Sequence, residues 1–200
     1  MLTETVEEAT APSAPRHGVD NVFLALIPDD QAGSQTIDIQ KQNLPGLGRS
    51  PYLVPKDCLH VSLLDLGTRK NLIARDISVT IRQAREALDR LQFESFDVLF
   101  DQTLSFGNQA GLKPFVLQMG QGREQVALLC KKLKLVLASA GIHSEDKATT
   151  PHMTLARAAQ TLPAAEIKSM SWRAAHVVLV HSVVGETRHI HLQSWPLRRA

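Results

Sequence analysis

The segment His60-Val-Ser62-Leu63 recurs as His152-Met-Thr154-Leu155, a displacement of 92 residues within a chain of 200. Each copy closes the same succession of strand, helix and motif strand, so the fold must accommodate two related units. In the first unit, residues 21–27 form an apolar run stopped by Pro28. A helix follows with Asp29 or Asp30 as its N-cap and runs to about Asn43, and residues 59–66 read as the motif strand. In the second unit, residues 114–119 read as the strand. Residues 124–140 then form a helix with Val126, Leu129, Cys130, Leu133, Val136 and Leu137 on one face, and residues 152–157 form the motif strand. The same displacement carries Phe23 onto Phe115. Short strand–helix–strand repeats of this kind pack with pseudo-twofold symmetry.

The remaining segments fill in around the repeat. Ile73, Ile77, Ile81, Ala84, Leu88 and Leu91 recur at three- and four-residue steps, which predicts an amphipathic helix over 72–91. Residues 96–106 read as one long strand or a bent pair, and residues 175–183 and 188–193 as the closing strands. Pro45, Gly46, Gly48, Pro51 and Pro55 mark a loop, and residues 107–111 a hairpin connection. Residues 1–18 are polar and read as a disordered lead-in, leaving residues 19–200 as a single bilobal domain.

Side chains two apart on a strand share a face, which pairs His60 with Ser62 and His152 with Thr154. If a pseudo-twofold sets the motif strands side by side, two imidazoles and two hydroxyls converge on one cleft. That set suits in-line attack at phosphorus. A neutral imidazole takes a proton from the attacking oxygen and a protonated one supplies the leaving oxygen. Imidazoles titrate near pH 6.5, so either can take either role without a metal, and the hydroxyls donate to the non-bridging oxygens where charge must be stabilised.

Composition narrows the alternatives. Twenty-two Lys and Arg against twenty Asp and Glu give a net charge of +2. That is too little for a protein that coats nucleic acid, yet compatible with one that grips a single phosphate at a chain end. Aromatic residues are only 4% of the chain, which disfavours a stacking platform. No apolar run reaches the ~18 residues of a membrane span. The opening residues carry Glu4, Glu7 and Glu8 without a basic or apolar signal region. Cys58 and Cys130 have no metal-ligand spacing. A cytoplasmic protein with reduced cysteines is expected.

At this point the chain resembles the 2H phosphoesterases, specifically the bacterial 2′-5′ RNA ligase / RNA 2′,3′-cyclic phosphodiesterase family. The likeness runs through residues 23–30, 59–63 and 114–117, Pro151-His-Met-Thr-Leu-Ala-Arg157, and the ending Trp195-Pro-Leu197. It implies an α+β fold of two pseudo-twofold-related lobes, antiparallel sheets facing a central cleft with helices outside. It also implies metal-independent opening of 2′,3′-cyclic phosphate RNA ends to 2′-phosphates, with no cofactor, and the reverse 2′-5′ ligation in some members. By resemblance the catalytic pair is His60, the acid on the departing 3′-oxygen, and His152, the base on water. Ser62, Thr154 and Arg157 would bind phosphate. The expected partner is an RNA end or a small cyclic-phosphate nucleotide, met by a monomer that needs no membrane or obligate protein partner. Rival readings are a phosphodiesterase acting on 2′-5′ oligonucleotides or ADP-ribose cyclic phosphate, and a non-catalytic RNA-end-binding module.

Arg157 poses a problem of parity. Three residues beyond Thr154, it faces away on a regular strand, so it reaches the cleft only if the strand ends or bulges before it, or from the rim. Otherwise it is a surface ion-pairing residue. His189 and His191 share a strand face without a neighbouring carboxylate or Cys, which favours a structural or substrate-rim role over metal. His176 and His181, five apart, should face opposite sides. Phe23, Tyr52, Phe106 and Phe115 are candidate walls for a base or ribose, and Lys131, Lys132 and Lys134 read as a solvated helix face.

Overall fold

A computed structural model describes residues 21–68, 77–106, 111–144, 150–183 and 187–198. The expected tail over 1–18, the start of the 72–91 helix and most of the 107–111 connection lie outside them. The strands are β1 (Asn21–Leu26), β2 (Tyr52–Leu53), β3 (Val61–Thr68), β4 (Phe96–Ser105), β5 (Lys113–Met119), β6 (His152–Ala158), β7 (Ala165–Ala174), β8 (His176–Val183) and β9 (Arg188–Pro196). Helices α1 (Asp30–Asn43), α2 (Ile77–Leu88) and α3 (Arg123–Ala138) complete the set, with short 3₁₀ turns at Leu44–Leu47 and Lys56–Cys58.

The strands form one mixed-order sheet, β7-β4-β5-β6-β3-β1-β8-β9, with β2 also beside β6 and neighbours antiparallel throughout. Its two halves mirror each other. Strands β3-β1-β8-β9 make one lobe and β6-β5-β4-β7 the other, joined at the centre through Val61 opposite Met153. This is the α+β, two-lobed antiparallel architecture expected.

Local chemistry accounts for the elements. β1 is apolar along its length because strands cover both its edges and its inner face meets the core; Val22, Leu24 and Leu26 are fully buried. Asp29 caps α1 by accepting from the Ala32 amide at 2.8 Å. α3 buries Val126, Leu129, Leu133 and Leu137, the predicted face. The helices cross over: α1, which follows β1 in sequence, packs against β6 and β7, and α3 packs against β3. Each lobe is therefore backed by the other unit's helix, which ties the halves into one core.

Three expectations need correction. β7 falls where the sequence pattern marks no strand, because the first half of this edge strand is largely exposed and only Met170, Trp172 and Ala174 alternate inward. Two-residue β2 lies in the predicted loop. The repeat also slips by one residue between the outer strands: Leu24 pairs with Leu64, and Phe115 with Ala156, so Phe115 corresponds to Leu24 rather than to Phe23. Phe115 is consequently a fully buried core residue and no wall of the cleft. Cys58 and Cys130 are both free. No helix among the described residues is long and apolar enough to cross a membrane.

Candidate active site

Val61 and Met153 are both fully buried and point into the main core. The residues flanking them on each strand therefore face the other way. In an antiparallel pair with Val61 opposite Met153, the same register sets His60 across from Thr154 and Ser62 across from His152. Opposed side chains of this kind have Cβ atoms about 4.5–5.5 Å apart. The duplicated motifs thus meet where the lobes join, each imidazole beside the other motif's hydroxyl. Ser62 is exposed, and His60, His152 and Thr154 are half-buried.

The imidazoles are held alike. His60 Nδ1 donates to the Cys58 carbonyl at 2.8 Å, and His152 Nδ1 donates to the Thr150 carbonyl at 2.7 Å. A carbonyl only accepts, so each bond puts the neutral ring's proton on Nδ1 and leaves the Nε2 lone pair for chemistry. Rings fix the orientation further. His60 packs against Phe23 (centroids 4.9 Å apart) and His189 (5.0 Å), while Phe106 meets His152 edge-on at 5.0 Å.

Burial pushes His60 below the ordinary histidine range; the Cys58 carbonyl opposes this, and the charges of His152 and His191 add to it. His189 is pushed down to about 4 by burial and then by His60 and His191, against Asp57. Its Nδ1 is buried with no hydrogen-bond partner. His189 therefore acts as a neutral ring wedged behind His60, a neighbour that sequence reasoning does not connect to the motif. The link runs through sheet register, from β9 across β8 and β1 to β3, which no local pattern reports.

A bulge resolves the parity of Arg157. Opposite consecutive residues Phe115 and Val116 stand Ala156 and Thr154, so Leu155 is an extra residue in β6. Leu155 and Ala156 both face the core, and Arg157 returns, exposed, to the face of His152 and Thr154. The bulge is itself repeated. Leu24 and Ala25 oppose Leu64 and Ser62, making Leu63 the extra residue in β3. In that lobe the bulge presents Asp65, whose Oδ1 accepts from the Gly67 amide at 2.8 Å. Each bulge carbonyl is held by a helix of the other unit: Leu155 O accepts from Gln40 Nε2 at 2.7 Å, and Leu63 O from Cys130 Sγ at 3.4 Å.

Of the other candidates, Phe23 lies in a small apolar cluster with Ala25, Val178 and Val180 beneath His60, and Tyr52, exposed on β2, pairs with Arg157. His176 is exposed and His181 half-buried, on opposite faces of β8. Among the described residues, no three His, Cys, Asp or Glu side chains are grouped to hold a metal ion.

A seam between two related lobes, carrying two Nδ1-anchored imidazoles and two hydroxyls on one face of the sheet, has the makings of a phosphoester-processing site. Residues 28–186 match the model of the 2′-5′ RNA ligase superfamily, and the chain belongs to that family, the 2H phosphoesterases. No curated protein matches the chain. Among solved structures, a phosphoesterase superimposes with a TM-score of 0.70 at 20% identity, covering 90% of this chain and 99% of that one. Escherichia coli LigT in its apo form gives 0.68 at 20%, covering 90% and 98%. The Thermus thermophilus protein TT0787 gives 0.66 at 21%, with the same coverages. LigT has also been crystallised with 3′-AMP and with ATP.

Proposed function

We propose that the protein hydrolyses RNA 2′,3′-cyclic phosphate ends to 2′-phosphates without a metal, acting as a monomer in the cytoplasm. The observation that carries this reading is the seam itself: two imidazoles fixed through Nδ1, each beside the hydroxyl of the other motif. Water attacks phosphorus in line with the 3′-oxygen, and one imidazole takes its proton. The P–O3′ bond breaks, the other imidazole protonates O3′, and the phosphate remains on O2′. Ser62 and Thr154 donate to the non-bridging oxygens, and Arg157 adds a cation on the same face. On the family likeness we take His60 as the acid and His152 as the base. Burial weakens proton binding by His60 in the free protein, so this assignment needs the bound phosphate to strengthen it, as a nearby anion does. Nucleotide binding by LigT supports a nucleotide or RNA substrate. Ligation, in which a 5′-hydroxyl instead of water attacks the cyclic phosphate and displaces O3′ to leave a 2′-5′ bond, needs the same groups in the same proton roles.

The test is a panel of cyclic-phosphate RNA ends, 2′-5′ dinucleotides and ADP-ribose cyclic phosphate, assayed with chelator present and with product phosphate position read by NMR. Turnover of the cyclic ends to 2′-phosphates, lost in both His60→Ala and His152→Ala, is the expected result. Preferential turnover of another member of the panel moves the assignment to that substrate. Nucleotide binding without turnover of any member identifies a binding module.

A further inference from the structure

The two lobes present unlike walls to the cleft. In the β3 lobe the wall is apolar and already filled: Phe23, Ala25, Val178 and Val180 are buried, with the rings of His60 and His189 over Phe23. The bulge there offers Asp65, a carboxylate that repels phosphate. In the β6 lobe the corresponding wall carries amides. His152 stands opposite Gln118, Gln118 opposite Gln102, and Gln102 opposite Glu166. Directly opposed residues share a face, so these four side chains form one row across β6, β5, β4 and β7 on the cleft side of the sheet. Gln118 and Gln102 are half-buried, and neither amide bonds another described residue. Half-buried amides that bond no described residue have hydrogen-bonding capacity to offer a ligand.

Resting on the proposed reaction, we infer that this row is a base-reading edge and that it selects adenine at the cyclic end. Strands are spaced about 4.8 Å apart, so Gln118 and Gln102 stand about 5 and 10 Å from the His152 position, within the reach of one nucleoside. Phe106, half-exposed and edge-on to His152, supplies an apolar surface on the same side. Arg157 draws the phosphate toward this lobe. A glutamine amide offers one acceptor and one donor, which match the amino group and ring nitrogen of adenine in a bidentate pair. Glu166 at the end of the row accepts from an amino group and not from a carbonyl. Uracil, with carbonyl oxygens in place of an amino group, meets that end of the row with acceptor against acceptor.

The experiment compares adenosine and uridine 2′,3′-cyclic phosphates as substrates, and adenosine and uridine 2′-phosphates as ligands by calorimetry, for the wild type, Gln118→Leu and Gln102→Leu. Wild type should favour adenosine by about tenfold or more in kcat/KM and in binding. Gln118→Leu should bring that ratio to within about twofold of unity, with the loss on the adenosine side carried by KM. Equal handling of the two bases by wild type overturns the inference. So does a ratio that survives both substitutions, or a parallel fall for both substrates. If wild type turns over no cyclic phosphate, the proposed reaction fails; the calorimetric ratio still decides the base-reading edge, with tighter adenosine 2′-phosphate supporting it and equal affinity refuting it.

Discussion

Gln40 offers a searching test of how the site is assembled. It sits on α1, 4% exposed, and its Nε2 donates to two carbonyls, Val54 at 2.9 Å and Leu155 at 2.7 Å. Leu155 is the bulged residue that turns Arg157 into the cleft, and its carbonyl also accepts from the Val54 amide at 2.9 Å. Gln40→Leu keeps the volume nearly constant and removes both donors. Leu155 O keeps the Val54 amide, so one net hydrogen bond of about 0.5–1.5 kcal/mol is lost there, and the Val54 carbonyl is left without its side-chain partner at about 1–3 kcal/mol. A total of about 2–4 kcal/mol follows. Urea denaturation should read that loss directly, and Tm should fall by about 4–16 °C at the ~2–4 °C per kcal/mol expected for a domain of this size. The folded variant should turn over substrate about tenfold more slowly, because a loosened bulge misplaces Arg157. A stability loss under ~0.5 kcal/mol, with unchanged turnover, would refute the claim that α1 holds the bulge and the bulge holds Arg157.

Other expectations follow from the same geometry. Ser62→Ala and Thr154→Ala should each lower kcat by about 10- to 1000-fold through lost charge stabilisation, measured with a cyclic-phosphate substrate; an unchanged rate would show that the hydroxyls do not touch the phosphate. With His60 as acid, activity falls as pH rises through its pKa. The descending limb of kcat/KM, which reports the free enzyme, should therefore lie at lower pH than that of kcat, where bound phosphate strengthens the ring's hold on its proton; coincident limbs would contradict that role. His189 binds protons more weakly folded than unfolded, so stability should decline as pH drops from about 6.5 toward about 4 and change little above that window. His189→Phe should flatten that decline in chemical denaturation curves.

Much of this molecule is legible in the sequence. The paired motif, the Asp29 cap, the buried face of α3 and most strands follow from spacing and periodicity, because each depends on neighbours within a few residues. What escapes depends on distant partners. β7 is held by pairing with β4, its own residues being too exposed to announce it. The bulges at Leu63 and Leu155 appear only when their partner strands are counted against them, and they carry Asp65 and Arg157 to the cleft. The placement of His189 behind His60, and of Gln118 beside His152, is likewise a matter of register across strands far apart in the chain. Phe23 and Phe115 match in the sequence repeat yet part company in the fold, one beneath His60 and the other in the core, since the repeat slips by one residue at the outer strands.

The central claim is that both imidazoles serve one phosphorus atom. A crystal structure of the protein with adenosine 2′-phosphate tests it most directly. His60 Nε2 and His152 Nε2 should each lie within about 2.6–3.2 Å of an oxygen on the same phosphate, one ring to either side. A phosphate held by one ring alone, with the other turned away or out of reach, would contradict it.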